Sequence, residues 1–298
     1  MKLKKSRKNS QSIKIFNGRK EADKILSSIG KKITQESLKP GLAVILVGKD
    51  KPSELYVKIK EKKAKESGIK FFLHRFEGKT KQEKIINKIK ELNDNPLIHG
   101  IVVQLPLPRK INPDKVIKSI NPKKDVDGFI KNSFFEPVLV TAIFSALKSA
   151  VRYNESRFSR EYFNNKKILA LVNSETFGHA LKKYFNKKNI KINYFLIKNS
   201  SKKELAKKTK RADIIISVCG VPNLIKSDII KNQSILIDAG ISFIHGKKTV
   251  GDVDKKSVEV KASFLTPVPG GIGPLTVAFL LKNTYLAAKK YSVSKIKL

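Results

Sequence analysis

The chain is poor in several residue types, and each scarcity excludes something. It has one cysteine in 298 residues, Cys219, so an internal disulfide cannot form and a reducing cytoplasm is the expected setting. Tryptophan is absent and aromatics make up only 8%; the sequence shows no aromatic-rich RNA-binding motif and no zinc-finger Cys/His pairs. Its four histidines, His74, His99, His179 and His245, lie far apart without ligand spacing, so no metal is expected. No apolar run approaches the roughly 20 residues that a membrane span needs. The basic segment Met1–Ser12 lacks the apolar core of a secretory signal and reads as a frayed end. Acids are scarce too: 25 Asp and Glu stand against 63 Lys and Arg, a net charge of +38. Such a field draws anions. The lysines are spread along the whole chain, however, and lysine rather than arginine predominates. A lysine-biased composition or an anionic small substrate accounts for the charge better than nucleic-acid binding does.

What is present alternates. Helical periodicity covers Gly18 to Gln35, and Gly41 to Gly48 reads as a buried strand closed by glycines. Ser53, as N-cap, opens a helix to Ser67 that Gly68 stops. Strands over Ile69–Phe76 and Ile98–Gln104 flank a helix over Lys81–Leu92. Asn154 to Asn165 is polar and reads as a connection. A second series follows, with strands at Lys167–Asn173, Ile190–Ile197, Asp213–Cys219 and Ser234–Asp238 and helices at Phe177–Phe185 and Lys202–Arg211. Pro274–Lys289 is a closing helix with proline at its start. The pattern predicts α/β architecture with mostly parallel sheets, in two units flanking a cleft.

Three constellations carry chemistry. Tyr56 and Lys60, four residues apart, share one helix face, where a ring stacks on a flat ligand and an amine moves a proton. Gln104 ends the strand Ile98–Gln104, at the carboxyl edge where open α/β sheets bind ligands; the prolines of Gln104-Leu-Pro-Leu-Pro108 stiffen the next turn, and Asp127-Gly128 lies on a loop beyond. The third is Thr266-Pro-Val-Pro269-Gly270-Gly271-Ile-Gly-Pro-Leu-Thr276, whose glycines admit close backbone approach just before a helix N-terminus.

Together these segments resemble the bifunctional methylenetetrahydrofolate dehydrogenase/cyclohydrolase family. Tyr56-Val-Lys-Ile-Lys60, the Gln104 turn with Lys124-Asp-Val-Asp-Gly-Phe129, and the Pro-Gly run match its motifs, as do Ile237–Ile241, Val250–Asp254 and the closing helix, in order from about Ile15 to Ala288. The resemblance implies a folate-binding catalytic domain over residues 1–150 plus 275–298 and a Rossmann-like NAD(P)-binding domain over 151–274. It implies oxidation of 5,10-methylenetetrahydrofolate to the methenyl form with NADP, or with NAD, then hydrolysis to 10-formyltetrahydrofolate. Lys60 matches the essential lysine of the hydrolysis, Gln104 its hydrogen-bond partner, Tyr56 the ring stacked on folate and Asp127 the carboxylate holding the pterin. Ser53, Pro269, Gly270 and Gly271 are assigned to the substrate, plain or polyglutamylated, and Val172, Asn173, Ser174, Gly178 and Ile241 to the cofactor. The family is usually a homodimer.

The second domain departs from the pattern. Where the family has Gly-Arg-Ser-x-x-Val-Gly-x-Pro for the cofactor's phosphates, this chain has Val172-Asn-Ser-Glu-Thr-Phe-Gly-His-Ala180. Val172 adds a branched side chain, Asn173 removes a phosphate-gripping charge and Glu175 adds a negative one. Lys198, Lys202 and Lys203 follow the next strand and are candidates to receive a 2′-phosphate, but lysines are too common in this chain for that to weigh much. Pro137-Val-Leu-Val-Thr-Ala142 replaces the family's Pro-Cys-Thr-Pro-x-Gly. Two narrower readings therefore stand beside the bifunctional one: a cyclohydrolase with a degraded dinucleotide site, and a non-catalytic folate-binding relative.

Overall fold

In chain order the elements are β1 (Lys14–Ile15), α1 (Gly18–Gln35), β2 (Gly41–Val47), α2 (Lys51–Glu66), β3 (Lys70–Phe76), α3 (Gln82–Asp94), β4 (Gly100–Val103), α4 (Pro113–Lys118), α5 (Val138–Glu155), β5 (Ile168–Val172), α6 (Glu175–Asn186), β6 (Asn193–Leu196), α7 (Lys202–Thr209), β7 (Ile214–Val218), β8 (Ile235–Asp238), β9 (Ser242–Ile244), β10 (Lys248–Val250), α8 (Lys255–Val258), β11 (Phe264–Leu265) and α9 (Ile272–Ile296). This computed structural model describes residues 12–296 except 156, 199 and 245–247. The frayed end expected over the first eleven residues, and His245, lie outside the described residues. The chain forms two units: residues 19–142 with the helix from Pro274 onward, and the described residues up to Gly18 with 143–273.

In the first of these, β2 is the middle strand of a parallel sheet ordered β3-β2-β4. All seven β2 residues are buried, which explains its unbroken apolar run: a central parallel strand is covered on both faces. Ile85, Ile89 and Leu92 of α3, spaced four and three apart, pack with Ala43, Ile45, Val47, Ile101 and Val103 in one core. Asp50, not Ser53, is the N-cap of α2: its Oδ2 accepts Ser53 N at 2.9 Å, and Pro52 occupies the first turn. The cap therefore lies three residues before the expected serine, because Asp-x-Pro supplies both an acceptor and a fixed φ. On α9, Tyr285 Oη and Lys289 Nζ donate to Glu36 at 2.9 and 2.6 Å, tying the closing helix to the end of α1.

The second unit holds a six-stranded sheet ordered β1-β11-β8-β7-β5-β6, parallel at every pairing. β6 and β7 lie on opposite sides of β5, so the winding reverses there. Two differences from the sequence reading have physical causes. Lys14–Ile15 pairs in parallel with β11, so this segment belongs to the second sheet and not to a first domain over 1–150. α5 was not visible as a helix: its buried Val138, Val140, Ile143 and Phe144 are β-branched or aromatic, and local propensity favours strand there. Burial overrides that preference, with Phe144 edge-on to Phe185 at 5.6 Å. Among the described residues no helix is long and apolar enough to cross a membrane.

Candidate active site

In the first unit, β4 ends at Val103 and Gln104 is the next residue, its backbone N–H still bonded to Ile45 O at 2.9 Å. The side chain is held at both ends. Lys60 Nζ donates to Gln104 Oε1 at 2.8 Å, and Gln104 Nε2 donates to Leu105 O at 2.7 Å. The amide's orientation is thereby set: its oxygen faces the lysine. Tyr56 lies one turn earlier on α2, partly buried, and burial raises its phenol pKa.

Asp127 comes from a loop whose shape Asp125 sets. Asp125 is 1% exposed; its carboxylate accepts Gly128 N at 3.1 Å and Ile130 N at 2.8 Å, and its backbone bridges Ile101 of β4. Gly128 has φ of +76°, and a Cβ there would lie 2.6 Å from the Glu136 carbonyl carbon, so only glycine passes. The loop carries Asp127 into electrostatic contact with Lys60, while its carboxylate accepts no hydrogen bond among the described residues. Burial raises the Asp127 pKa to about 6, Lys60 opposing and Asp125 adding to the rise. Burial also lowers the Lys60 pKa, against the pull of Asp127. Among the described residues no neighbouring cation contributes to that lowering.

Tyr56, Lys60, Gln104 and Asp127 are thus gathered in one unit from α2, the end of β4 and one loop. Ser53 is 2% exposed, with its hydroxyl 2.7 Å from Asp50 Oδ2 and 3.3 Å from Leu105 O. It braces the start of α2 against the turn after Gln104, because both its neighbours are acceptors that claim its proton. Pro269, Gly270 and Gly271 belong to the other unit, between β11 and α9, where Gly270 O accepts Gly18 N at 2.9 Å. Pro269 is exposed and Gly271 buried.

At the carboxyl edge of the second sheet, Asn173 and Ser174 are exposed and Gly178 is buried against the Tyr194 ring. Ser174 caps α6, its Oγ accepting Phe177 N at 3.4 Å. The amides of Glu175 and Thr176 meet no acceptor among the described residues, so the start of α6 offers two free donors where the winding reverses. Asn173 Nδ2 is spent on Cys219 O at 3.1 Å. Val172, assigned to the cofactor from sequence, is 0% exposed and its carbonyl accepts Ile197 N at 3.0 Å. As a residue of a doubly covered strand it has neither side chain nor carbonyl to offer. Ile241 is 37% exposed beyond β8. Cys219 is buried, and desolvation pushes its thiol up to about 12, so it is an inert small hydrophobe.

Sequence reasoning missed Asp50, Asp125 and Asp252. For the first the signal was Asp-x-Pro, and for the second an acid two residues before Asp127 inside the same motif. Asp252 had none apart from its motif.

Residues 16–127 match the family described as tetrahydrofolate dehydrogenase/cyclohydrolase, catalytic domain, and residues 157–292 match its NAD(P)-binding domain. The chain is 39% identical over 263 residues to the bifunctional protein FolD of Campylobacter hominis, covering 86% of this chain and 89% of the relative. Among solved structures it resembles the bifunctional FolD enzyme of Campylobacter jejuni, with 33% identity, a TM-score of 0.83 and coverage of 94% and 99%. It also resembles the Trypanosoma brucei methylenetetrahydrofolate dehydrogenase-cyclohydrolase complexed with NADP and an inhibitor, with 27% identity, a TM-score of 0.84 and coverage of 95% and 99%.

Proposed function

The chain belongs to the tetrahydrofolate dehydrogenase/cyclohydrolase family, and from that premise we propose that Lys60, Gln104, Tyr56 and Asp127 bind and convert its folate substrate. The protein oxidises 5,10-methylenetetrahydrofolate to the 5,10-methenyl form and hydrolyses that cation to 10-formyltetrahydrofolate. The observation that carries the reading is the 2.8 Å contact from Lys60 Nζ to Gln104 Oε1.

Hydration of a methenyl cation requires a base for the attacking water and an acid for the departing N5. A lysine whose pKa is lowered by burial serves both, taking the water's proton and passing it to N5. Gln104 holds the amine through a neutral oxygen, which orients Nζ without raising its pKa as a carboxylate in contact would. Asp127, ionised above pH of about 6, accepts N–H groups of the pterin, and Tyr56 offers a ring to its flat face. As the C–N5 bond breaks, the carbinol oxygen becomes the formyl carbonyl and gives up its own proton to solvent, so net one water is consumed and one proton released.

NADP, when bound, supplies the hydride acceptor for the first step. The free amides of Glu175 and Thr176 fit a phosphate at the start of α6. β6 is followed by the exposed Lys198 and not by the acid that favours an unphosphorylated ribose. Glu175 opposes the ligand's charge. Glu175→Gln is therefore expected to tighten NADP about threefold at low salt and less as salt screens the charge; fluorescence titration at two ionic strengths measures it.

The test of the whole reading is paired. Purified protein is titrated with NADP and NAD, and methylene oxidation and methenyl hydrolysis are assayed separately. Both activities, with NADP bound, are expected. Hydrolysis without nucleotide binding selects the cyclohydrolase-only reading, whose support is the uncharged Asn173 tied to Cys219. A homodimer in a reducing cytoplasm is the expected assembly and setting, the first measured by light scattering on the eluting protein.

A further inference from the structure

Ile237–Ile241 and Val250–Asp254 take no part in either step above, yet their acids interlock. Asp252 is 0% exposed, and its carboxylate accepts three hydrogen bonds from one short segment: Ser217 Oγ and Cys219 N on Oδ2, both at 2.7 Å, and Val221 N on Oδ1 at 2.8 Å. Asp238, 2% exposed, accepts Gly240 N at 3.0 Å and Asp252 N at 3.1 Å on Oδ1, and Val253 N at 2.9 Å on Oδ2. Thr266 fixes the Asp238 backbone, accepting its N–H at 2.7 Å and donating to its carbonyl at 3.0 Å. Neither acid forms an ion pair among the described residues. Two glycines make the room: a Cβ on Gly240 would lie 2.1 Å from Asp252 Cγ, and one on Gly251 2.0 Å from Asp238 Oδ2.

Burying two carboxylates without a cation is unfavourable, and the backbone amides they collect offset that only if the loops stay in this one shape. The loops so held are Cys219–Val221, after β7, and Ala239–Ile241, after β8. Both leave the sheet at its carboxyl edge. Both backbone groups of Cys219 are held, its N–H by Asp252 and its carbonyl by Asn173 Nδ2 at 3.1 Å. Through that residue the acid reaches the end of β5, where the winding reverses and α6 begins. Val221 and Ile241 project from the two turns, each 37% exposed.

We propose that Asp252 is a positioning residue for the dinucleotide: it fixes the Cys219–Val221 turn, and through Asn173 the β5 end, in the shape that receives the ligand. The inference rests on the NADP reading above. Asp252→Asn keeps the size but turns one of its two acceptor atoms into a donor, so one backbone amide loses its partner. The expected result is a rise in the KM for NADP of about tenfold, with kcat at saturating NADP changed less than about twofold. Ser217→Ala removes one donor and leaves the carboxylate; it is expected to raise the same constant about threefold and decides the matter if Asp252→Asn does not fold. Ile230→Ala, in the core of the same unit, controls for lost stability; it is expected to lower Tm and leave the KM alone. An unchanged KM in the Asp252 and Ser217 variants, or an equal rise in Ile230→Ala, overturns the positioning role while the NADP reading stands. Wild-type protein that binds no NADP when titrated with it directly overturns both.

Discussion

Lys60→Met is expected to lower hydrolysis of methenyltetrahydrofolate by at least about 10³-fold while the protein stays folded, because it removes the amine that Gln104 holds in place to carry the proton. The fully buried residues of α2 are Ser53, Val57 and Ala64, while Lys60 is half-buried, so Lys60 is not what seats the helix. Methionine matches the length of the lysine stem, and the change relieves the burial of an amine; the loss is the partner of Gln104 Oε1, worth about 1 kcal/mol. Lys60→Arg separates proton transfer from charge. A guanidinium retains the charge and the donors but is not deprotonated in proteins, so this variant is expected to be as inactive as the methionine one. Methylene oxidation expels a hydride and moves no proton, and is expected to persist within about tenfold in both. Undiminished hydrolysis in Lys60→Met takes Lys60 out of the chemistry; activity in Lys60→Arg reduces its role to that of a charge.

Much of this was legible because the polar residues interrupt patterns that would otherwise be purely structural. Gln104 ends an apolar strand, and Tyr56 and Lys60 share a helix face, so periodicity alone put three of the four side chains at known places on known elements. Parallel strands such as β2 and β5 announce themselves by burial on both faces. What was not legible depends on contacts distant in sequence. β1 has two residues and becomes a strand only through β11, some 250 positions later. α5 carries strand-prone residues and is helical because its faces are covered. The roles of Asp125 and Asp252 lie in the backbone amides they collect, and nothing local distinguishes such an acid from a surface one. Val172 shows the converse: its motif position matched a ligand-facing glycine, while the strand it ends buries it completely.

Asp127 gives the second large effect, and its pH dependence is specific. Asp127→Ala is expected to raise the folate KM of both reactions by about 10- to 100-fold, the range of a hydrogen bond to a charged group. In the wild-type protein the carboxylate has a pKa raised to about 6, so it is ionised above that pH and loses its charge below it. A neutral acid that must accept pterin N–H groups binds less well. kcat/KM for methylene oxidation is therefore expected to fall as pH drops through about 6, approaching tenfold per unit, and the limb is expected to vanish in Asp127→Asn. Hydrolysis falls on the same side for a second reason, since Lys60 must be neutral to act as a base. The two contributions separate in Lys60→Met, which retains oxidation. Removing that cation removes the interaction that holds Asp127 down, so its oxidation limb is expected to move above pH 6. A limb that stays in place shows that Lys60 and Asp127 do not sense each other's charge, and the site as described here fails with it.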